Sequence, residues 1–593
     1  MRNAQCFILR EQHLFFVLAI FCILLSTLNK FEVTEMYSVL FVIFCCALAV
    51  GGSWFVGKLG AWGMSDPVAS TGFRHGMDRL FITVGGRFVT REQNWKQYTL
   101  SLLVFNAIIF LVAYGILAIQ QYLPLNPDGA GSMEASLIFH TACSFTSNTN
   151  LQHYSGESAL SYFSQIFSIM WLQYVTPATG LCVLAALCRG LSGKESMGNF
   201  HMDLMRSTFL LLIPLCVIVA LILVLGGVIM TFDGSAQALT LEGVKQTIAR
   251  GPVAAFVAIK QLGTNGGGFF GVNSTHPFEN ASFFTNMVET VALVIIPMAC
   301  VWIFGHMTGR MKDAAVIFCV MFIMLAVNAG CANYFESAPS PAFAGMDIDS
   351  GSNLEGKELR FGQAGGSTWS VFTTASSNGS VGSMHDSLNP LSGLISMIGM
   401  WLNVIYGGVG VGFVNMFLYI VVAVFISGMM VGRSPEYMGR KVETREMKFA
   451  LLAILAHPLF ILGGTAVFAA GSWGTDTVLN KGFHGFSEIL YEFTSSAANN
   501  GSGFEGLADN TVPWNIATGL VMLLNRFIPI ILSLAIAGSL AAKRPSPETI
   551  GTLHTDTPLF GGVLLGCVLF VGALLFLPVA VLGPVAEHLA CVF

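Results

Sequence analysis

Charge is what this chain has least of. Only 10% of its residues are Asp, Glu, Lys or Arg, and the formal balance is −5. That is too little polar surface for soluble domains of this length. The sequence also lacks the motifs by which transport chains handle ATP. No Gly-x-x-x-x-Gly-Lys-[Ser/Thr] occurs; the nearest run, Gly190-Leu191-Ser192-Gly193-Lys194-Glu195-Ser196, has the wrong glycine spacing, and no Asp-Lys-Thr-Gly sequence is present. No Cys-x-x-Cys organises the 13 cysteines. Cys45, Cys46, Cys182, Cys216, Cys319 and Cys567 fall inside apolar segments and read as small buried hydrophobes, not as a disulfide framework. No His pair has metal spacing on one helix and no nucleophile–base constellation is visible, so neither a catalytic site nor a transition-metal site is expected.

What is present is hydrophobic: 54% of residues, with a mean hydropathy of +0.70. Apolar runs of about 20 residues, enough for one bilayer crossing, recur along the chain. The predicted spans are 36–56, 99–120, 164–187, 208–231, 287–306, 313–333, 391–432, 447–471, 517–541 and 559–583. The seventh is about twice the length one crossing needs. Tyr406-Gly407-Gly408-Val409-Gly410-Val411-Gly412 interrupts it, and charge makes it one broken helix. A second crossing there would turn the loop carrying Arg433, Arg440, Lys441, Arg445 and Lys448 to the outside. With ten spans, the loops on one side hold 18 Lys and Arg against 6 on the other, so the poorer side faces out. The outer loops are net acidic, an arrangement that concentrates cations or follows from the topology alone.

Four polar loops stand out on that outer side. They are Ser147-Asn148-Thr149-Asn150, Thr264-Asn265-Gly266-Gly267, Ser377-Asn378-Gly379-Ser380 and Asn499-Asn500-Gly501-Ser502. With Asn148, Asn265, Asn378 and Asn500 as markers, the repeats are 117, 113 and 122 residues apart. Irregular backbone at membrane depth survives only where protein buries it or water lines it. The expected architecture is therefore an all-α polytopic membrane protein of four helix–re-entrant loop–helix units, 99–187, 208–306, 313–432 and 447–541, around a pseudo-fourfold pore. Residues 36–98 and 559–583 supply flanking helices. Residues 1–35 read as a signal-like stretch, an extra helix or a start assigned too far upstream.

A ring of such loops offers backbone carbonyls and neutral side-chain oxygens, which replace the hydration shell of potassium without any carboxylate. Glycine lets successive carbonyls turn toward the axis, and Asn, Ser and Thr brace the loop. The Thr-Val-Gly-Tyr-Gly sequence of tetrameric potassium channels is absent. Arg526 lies inside an apolar span, where a charge costs at least about 2.5 kcal/mol. It reads as a charge that repels or steers cations, as an anchor, or as half of a structural ion pair. Glu289, near the outer end of its span, reads as facing the interface. His140, His276, His385 and His484 read as loop-packing residues, not ligands.

Longer motifs carry a family resemblance. They include Ser144-Phe145-Thr146-Ser147-Asn148-Thr149-Asn150, Gly263 through Phe270 with His276-Pro277-Phe278-Glu279-Asn280, and Thr373-Thr374-Ala375-Ser376-Ser377-Asn378-Gly379. Met384-His385-Asp386-Ser387, Arg433-Ser434-Pro435-Glu436-Tyr437-Met438-Gly439, Ser496 through Ser502 and Gly583-Pro584-Val585-Ala586-Glu587 extend it. From about residue 92 onward the chain resembles the potassium-binding, channel-like subunit of the bacterial Kdp potassium-transporting ATPase, within the potassium-transporter superfamily. The resemblance implies a multi-pass protein of the bacterial inner membrane that binds K+ from outside at the four loops. A separate P-type ATPase subunit would hydrolyse ATP, small accessory membrane subunits would complete the complex, and no nucleic acid would be involved. By the same likeness Gly407, Gly408, Gly410 and Gly412 would form a gating loop, Arg526 the charge beneath the filter, and K+ would leave sideways toward the ATPase subunit. Asn378 stands where family members often have cysteine. A channel-like or symporting potassium protein working without ATP shares the fourfold filter and is the alternative; a membrane enzyme built on the scattered histidines has little support.

Overall fold

The computed structural model describes residues 33–65, 72–343, 346, 351–432, 435–545 and 554–592. The expectation for residues 1–35 lies essentially outside them, as do Arg433 and Ser434. Among the described residues, ten helices are long and apolar enough to cross a membrane: Tyr37–Met64, Trp95–Ala118, Tyr162–Leu191, Phe200–Leu225, Phe283–Thr308, Met311–Phe343, Val411–Met430, Thr444–Ala470, Val512–Ala541 and Pro558–Cys591. Each coincides with an expected span. The seventh is divided as its glycines require: a short helix, Pro390–Leu402, ends at Asn403, and the crossing helix begins at Val411.

Between the two long helices of each unit lies a short helix that dips in and ends at a polar loop. These pore helices are Ala135–Thr146, Val253–Leu262, Gly362–Ala375 and Phe483–Ala498. They are buried almost throughout, because the long helices wrap them on every side. The wrapping helices present the opposite distribution. On Trp95–Ala118, Leu100, Val104, Ile108 and Leu111 are exposed, an apolar stripe suited to lipid. Small residues permit close packing of Val33–Met64 against Phe283–Thr308: a Cβ added to Gly57 would lie 2.5 Å from Trp302 Cβ, and one on Gly60 would lie 2.5 Å from Ile303 Cδ1. The sequence reading had no place for a small antiparallel hairpin, Ala236–Leu239 with Lys245–Ile248, ahead of the short helix Val253–Leu262.

The cysteines divide by position. Cys45, Cys46, Cys182 and Cys216 are buried as expected, whereas Cys567 is half-buried and Cys319 is exposed on the outer face of its helix.

Candidate functional site

All four pore helices terminate in the same way. One residue takes a left-handed conformation: Asn148 (φ 61°), Thr264 (47°), Ser377 (47°) and Asn499 (53°). The next residue donates its backbone N–H five positions back into the helix end: Thr149 to Ser144 O (2.9 Å), Asn265 to Lys260 O (3.0 Å), Asn378 to Thr373 O (2.9 Å) and Asn500 to Ser495 O (2.9 Å). This is the 6→1 closure of a Schellman motif. A second positive φ follows at Asn150 (58°), Gly266 (86°), Gly379 (88°) and Gly501 (105°). The structural equivalents are therefore Thr149, Asn265, Asn378 and Asn500. Asn148, chosen from residue type, is one position early and corresponds to Thr264, Ser377 and Asn499. Thr264 is the most constrained of these, since a β-branched residue at positive φ is a genuine outlier and such strain collects at functional sites.

The loops back one another in a closed ring. A Cβ on Gly266 would stand 2.0 Å from Asn378 O, one on Gly379 2.1 Å from Asn500 O, and one on Gly501 2.1 Å from Thr149 O. The fourth junction uses a side chain instead: Asn150 Cβ fills the space beside Gly267, 3.0 Å from where a Cβ there would lie. The order is second to third, third to fourth, fourth to first and first to second.

The motif side chains are committed to holding this ring. Asn148 Nδ2 donates to Thr264 O (2.9 Å), while its Oδ1 accepts from Thr176 Oγ1 (2.8 Å). Ser147 Oγ and Thr149 Oγ1 pair at 2.6 Å, and Asn499 Nδ2 donates to Thr149 Oγ1 (2.9 Å). Asn265 Nδ2 reaches Gln173 O (3.0 Å), Asn378 Nδ2 reaches Gln261 O (3.0 Å), and Asn500 Nδ2 reaches Thr373 O (2.9 Å). By contrast, the backbone carbonyls of Thr149, Asn265, Asn378 and Asn500 accept no hydrogen bond from the described residues. Four equivalent carbonyls without partners, and no carboxylate in any loop, make a neutral oxygen ring of the kind a weakly hydrated cation requires.

The interrupted seventh helix packs against this ring. Gly407 N donates to Ala375 O (3.0 Å), Val409 N to Thr264 Oγ1 (3.0 Å), and Ser377 Oγ to Asn403 Oδ1 (2.8 Å). Gly407, Gly408 and Gly410 have positive φ, and so does Tyr406 at 63°. Gly412 is helical and needed for a different reason, since a Cβ there would lie 2.2 Å from Tyr406 O. Arg526, on Val512–Ala541, lines a cavity together with Asn403, Gly407, Asn499, His457 and Asn525. Among the described residues no carboxylate pairs with Arg526, as the ion-pair reading would require.

Behind the ring the sequence reading missed a buried polar layer. Lys260, fully buried in the second pore helix, bonds Asn273 Oδ1 (2.7 Å), Ser274 Oγ (2.5 Å) and the Glu279 carboxylate. Glu289 corrects an expectation. It is fully buried, not at the interface, and accepts from Gln261 Nε2 (2.8 Å) and Ser274 Oγ (3.0 Å). The segment returning from the second loop folds over it, which span reading has no means to register. Breaking a buried pair costs about 3–5 kcal/mol because one charge is left uncompensated. Lys260→Met is therefore expected to lower the unfolding temperature in detergent, and Lys260→Met/Glu279→Leu to recover part of the loss. A double variant no better than the single would show that packing, not charge, sets the cost.

The histidines fare unequally. His276 stacks on Phe270 at 3.8 Å, and His385 is buried with Nδ1 against Tyr491 Oη (2.9 Å). His484 is more than loop packing: it bridges Asp386 Oδ1 (2.9 Å) and Glu587 Oε1 (2.7 Å), tying the C-terminal segment to the third and fourth units. Burial opposes its charge, but the hydrogen bonds to Asp386 and Glu587 prevail and push the imidazole up from 6.5 to about 10. With the folded value above the unfolded one, this stabilisation is complete below about pH 6.5 and is lost as the pH rises through about 10. Thermal stability should fall across that window, and fall less steeply in His484→Gln; parallel slopes would exclude the tie. His140 belongs with His153, a residue the sequence reading passed over.

Ten long apolar helices around a ring of neutral backbone oxygens define a polytopic membrane protein of the transport class. A family model described as the potassium-transporting ATPase A subunit (KdpA) matches residues 42–589. The chain belongs to that family, and the match begins well before the motifs do. A potassium-transporting ATPase potassium-binding subunit from Geobacillus kaustophilus is 50% identical over 501 residues, covering 84% of this chain and 89% of the relative. Among solved structures, the potassium transporter TrkH from Vibrio parahaemolyticus aligns over 84% of this chain and 96% of its own with a TM-score of 0.49 and 12% identity.

Proposed function

We propose that the four loops form a selectivity filter that binds K+ from the outer side and delivers it into an ATP-driven uptake complex. The observation that carries this reading is the closed ring, in which side chains brace the loops and the carbonyl at the equivalent position of all four is left without a donor among the described residues. Filter residues in this proposal are Ser147, Asn148, Thr149 and Asn150; Thr264, Asn265, Gly266 and Gly267; Ser377, Asn378 and Gly379; and Asn499, Asn500 and Gly501. Family membership supports K+ as the ion and a P-type ATPase subunit with small accessory membrane subunits as partners. The missing nucleotide motifs agree with ATP hydrolysis on another chain. The Lys/Arg bias supports a bacterial inner-membrane orientation with the loops outside.

Beneath the filter, the Gly407–Gly412 segment serves as a gating loop and Arg526 as a cationic barrier that turns K+ toward a lateral exit. The test is rubidium uptake into proteoliposomes by this chain with and without its ATPase partners and ATP. Uptake only by the complex with ATP supports the pump-subunit reading. Passive selective flux through this chain alone would replace it with the channel-like one.

A further inference from the structure

Three ionisable groups that the filter does not use converge behind the junction of its first and fourth loops. His153 Nε2 lies 3.2 Å from Glu492 Oε1 and 3.7 Å from Asp509 Oδ2. The three ligand atoms all fall within 4.8 Å of one another. They come from different elements: His153 follows the first loop, Glu492 sits on the fourth pore helix, and Asp509 lies on the segment returning from the fourth loop.

A hydrogen-bond chain fixes which nitrogen faces the carboxylates. Ser136 Oγ donates to the Glu134 carboxylate, so its lone pair accepts from Asn515 Nδ2 (3.0 Å). Asn515 Nδ2 also reaches Asn510 Oδ1 (3.3 Å), which leaves Asn515 Oδ1 turned to His153 Nδ1 at 2.7 Å. The proton of neutral His153 is thus on Nδ1, and Nε2 directs a lone pair at two carboxylates. Three facing lone pairs require a proton or a metal ion among them. Glu492, 1% exposed, has no hydrogen-bond partner among the described residues besides His153. His140, fully buried, stacks on His153 at 3.7 Å with neither ring nitrogen hydrogen-bonded.

We propose that His153 Nε2, Glu492 Oε1 and Asp509 Oδ2 form a binding site for one divalent transition-metal ion of the zinc class, entered past Asp509. Imidazole with two carboxylates is a zinc-type donor set. Ligands at 2.0–2.2 Å from a tetrahedral ion stand roughly 3.4 Å apart, close to both distances from Nε2. A proton at Nε2 satisfies one carboxylate; a metal ion engages both. Asn515 plays the outer-shell part, holding the imidazole through its other nitrogen. The Asp509 side chain, 25% exposed against 0% for His153 and 1% for Glu492, provides the way in. An ion here joins the first and fourth units along the seam that Asn499 and Thr149 already bridge. The absence of cysteine or histidine spacing kept it out of the sequence reading, because His153 lies more than 300 residues from Glu492 and Asp509.

The test is titration of the full-length chain, without a histidine tag, with Co2+ as the optical probe and Zn2+ as competitor. One equivalent of Co2+ should give visible tetrahedral bands that Zn2+ abolishes. His153→Gln and Asp509→Asn should each weaken binding at least tenfold, while His484→Gln, in the neighbouring Asp386–His484–Glu488 cluster, leaves it unchanged. Asp509 is a quarter exposed and Asn nearly isosteric with it, so Asp509→Asn keeps the test sound if His153→Gln fails to fold. Absence of stoichiometric uptake, equal uptake by Asp509→Asn, or loss in His484→Gln would each overturn the proposal.

Discussion

Gly266→Ala should weaken K+ binding at least tenfold while Gly129→Ala leaves it unchanged. The two glycines share a backbone conformation, φ +86° and +68°, but differ in what surrounds them. Placing an L-residue in the left-handed region costs about 1–2 kcal/mol wherever it occurs. Around Gly129 a Cβ meets nothing within 4 Å, whereas at Gly266 it meets Asn378 O at 2.0 Å and Gly379 Cα at 2.6 Å. The alanine methyl must push the third loop away, and Asn378 carries one of the four equivalent free carbonyls. Through Gly379 and Asn500 the displacement passes to the fourth loop. Gly266→Asp adds a carboxylate to a ring whose oxygens are otherwise neutral, so it should also relax selection against Na+. Calorimetric titration of each variant with K+ and Na+ reads both effects. Unchanged K+ affinity in Gly266→Ala would remove the ring from the binding site.

These residues also show where the sequence was readable. Hydropathy located the ten long helices found among the described residues, and the glycine run located the break in the seventh, because each signal is local. The four polar loops were visible for the same reason, but their register was not. Asn148 resembles Asn265, Asn378 and Asn500 in residue type, yet the backbone aligns Thr149 with them. What repeats is a pair of positive φ values two residues apart, written Asn-x-Asn, Thr-x-Gly, Ser-x-Gly and Asn-x-Gly. Only two of these residue types favour that conformation intrinsically. The remaining misses are long-range. Glu289 is buried by a return segment, Gln173 reaches Asn150 Oδ1 and Gly267 O from a neighbouring helix, and Lys260 finds Glu279 around a loop. A buried charge in the sequence announces that a partner exists and says nothing of which.

Arg526 has no carboxylate partner among the described residues, and that gives its removal the second large expected effect. An unpaired guanidinium facing a cavity with Asn499, Asn403 and Gly407 contributes little to folding, so Arg526→Gln should purify with near wild-type yield and thermal stability. Its effect should appear on ions. At about 8 Å and an effective dielectric of 20, two unit positive charges repel by about 2 kcal/mol, a factor of roughly 30 in K+ occupancy below the filter. Without that barrier the cavity becomes a resting place for K+ and the route straight down loses its main obstacle. Reconstituted complexes carrying Arg526→Gln should therefore show K+ leak without ATP and a lower ratio of K+ moved to ATP hydrolysed. Arg526→Lys, which keeps the charge, should restore most of the coupling. A glutamine variant that unfolds, or one whose coupling matches wild type, would make Arg526 a packing residue and leave lateral delivery of K+ without its barrier.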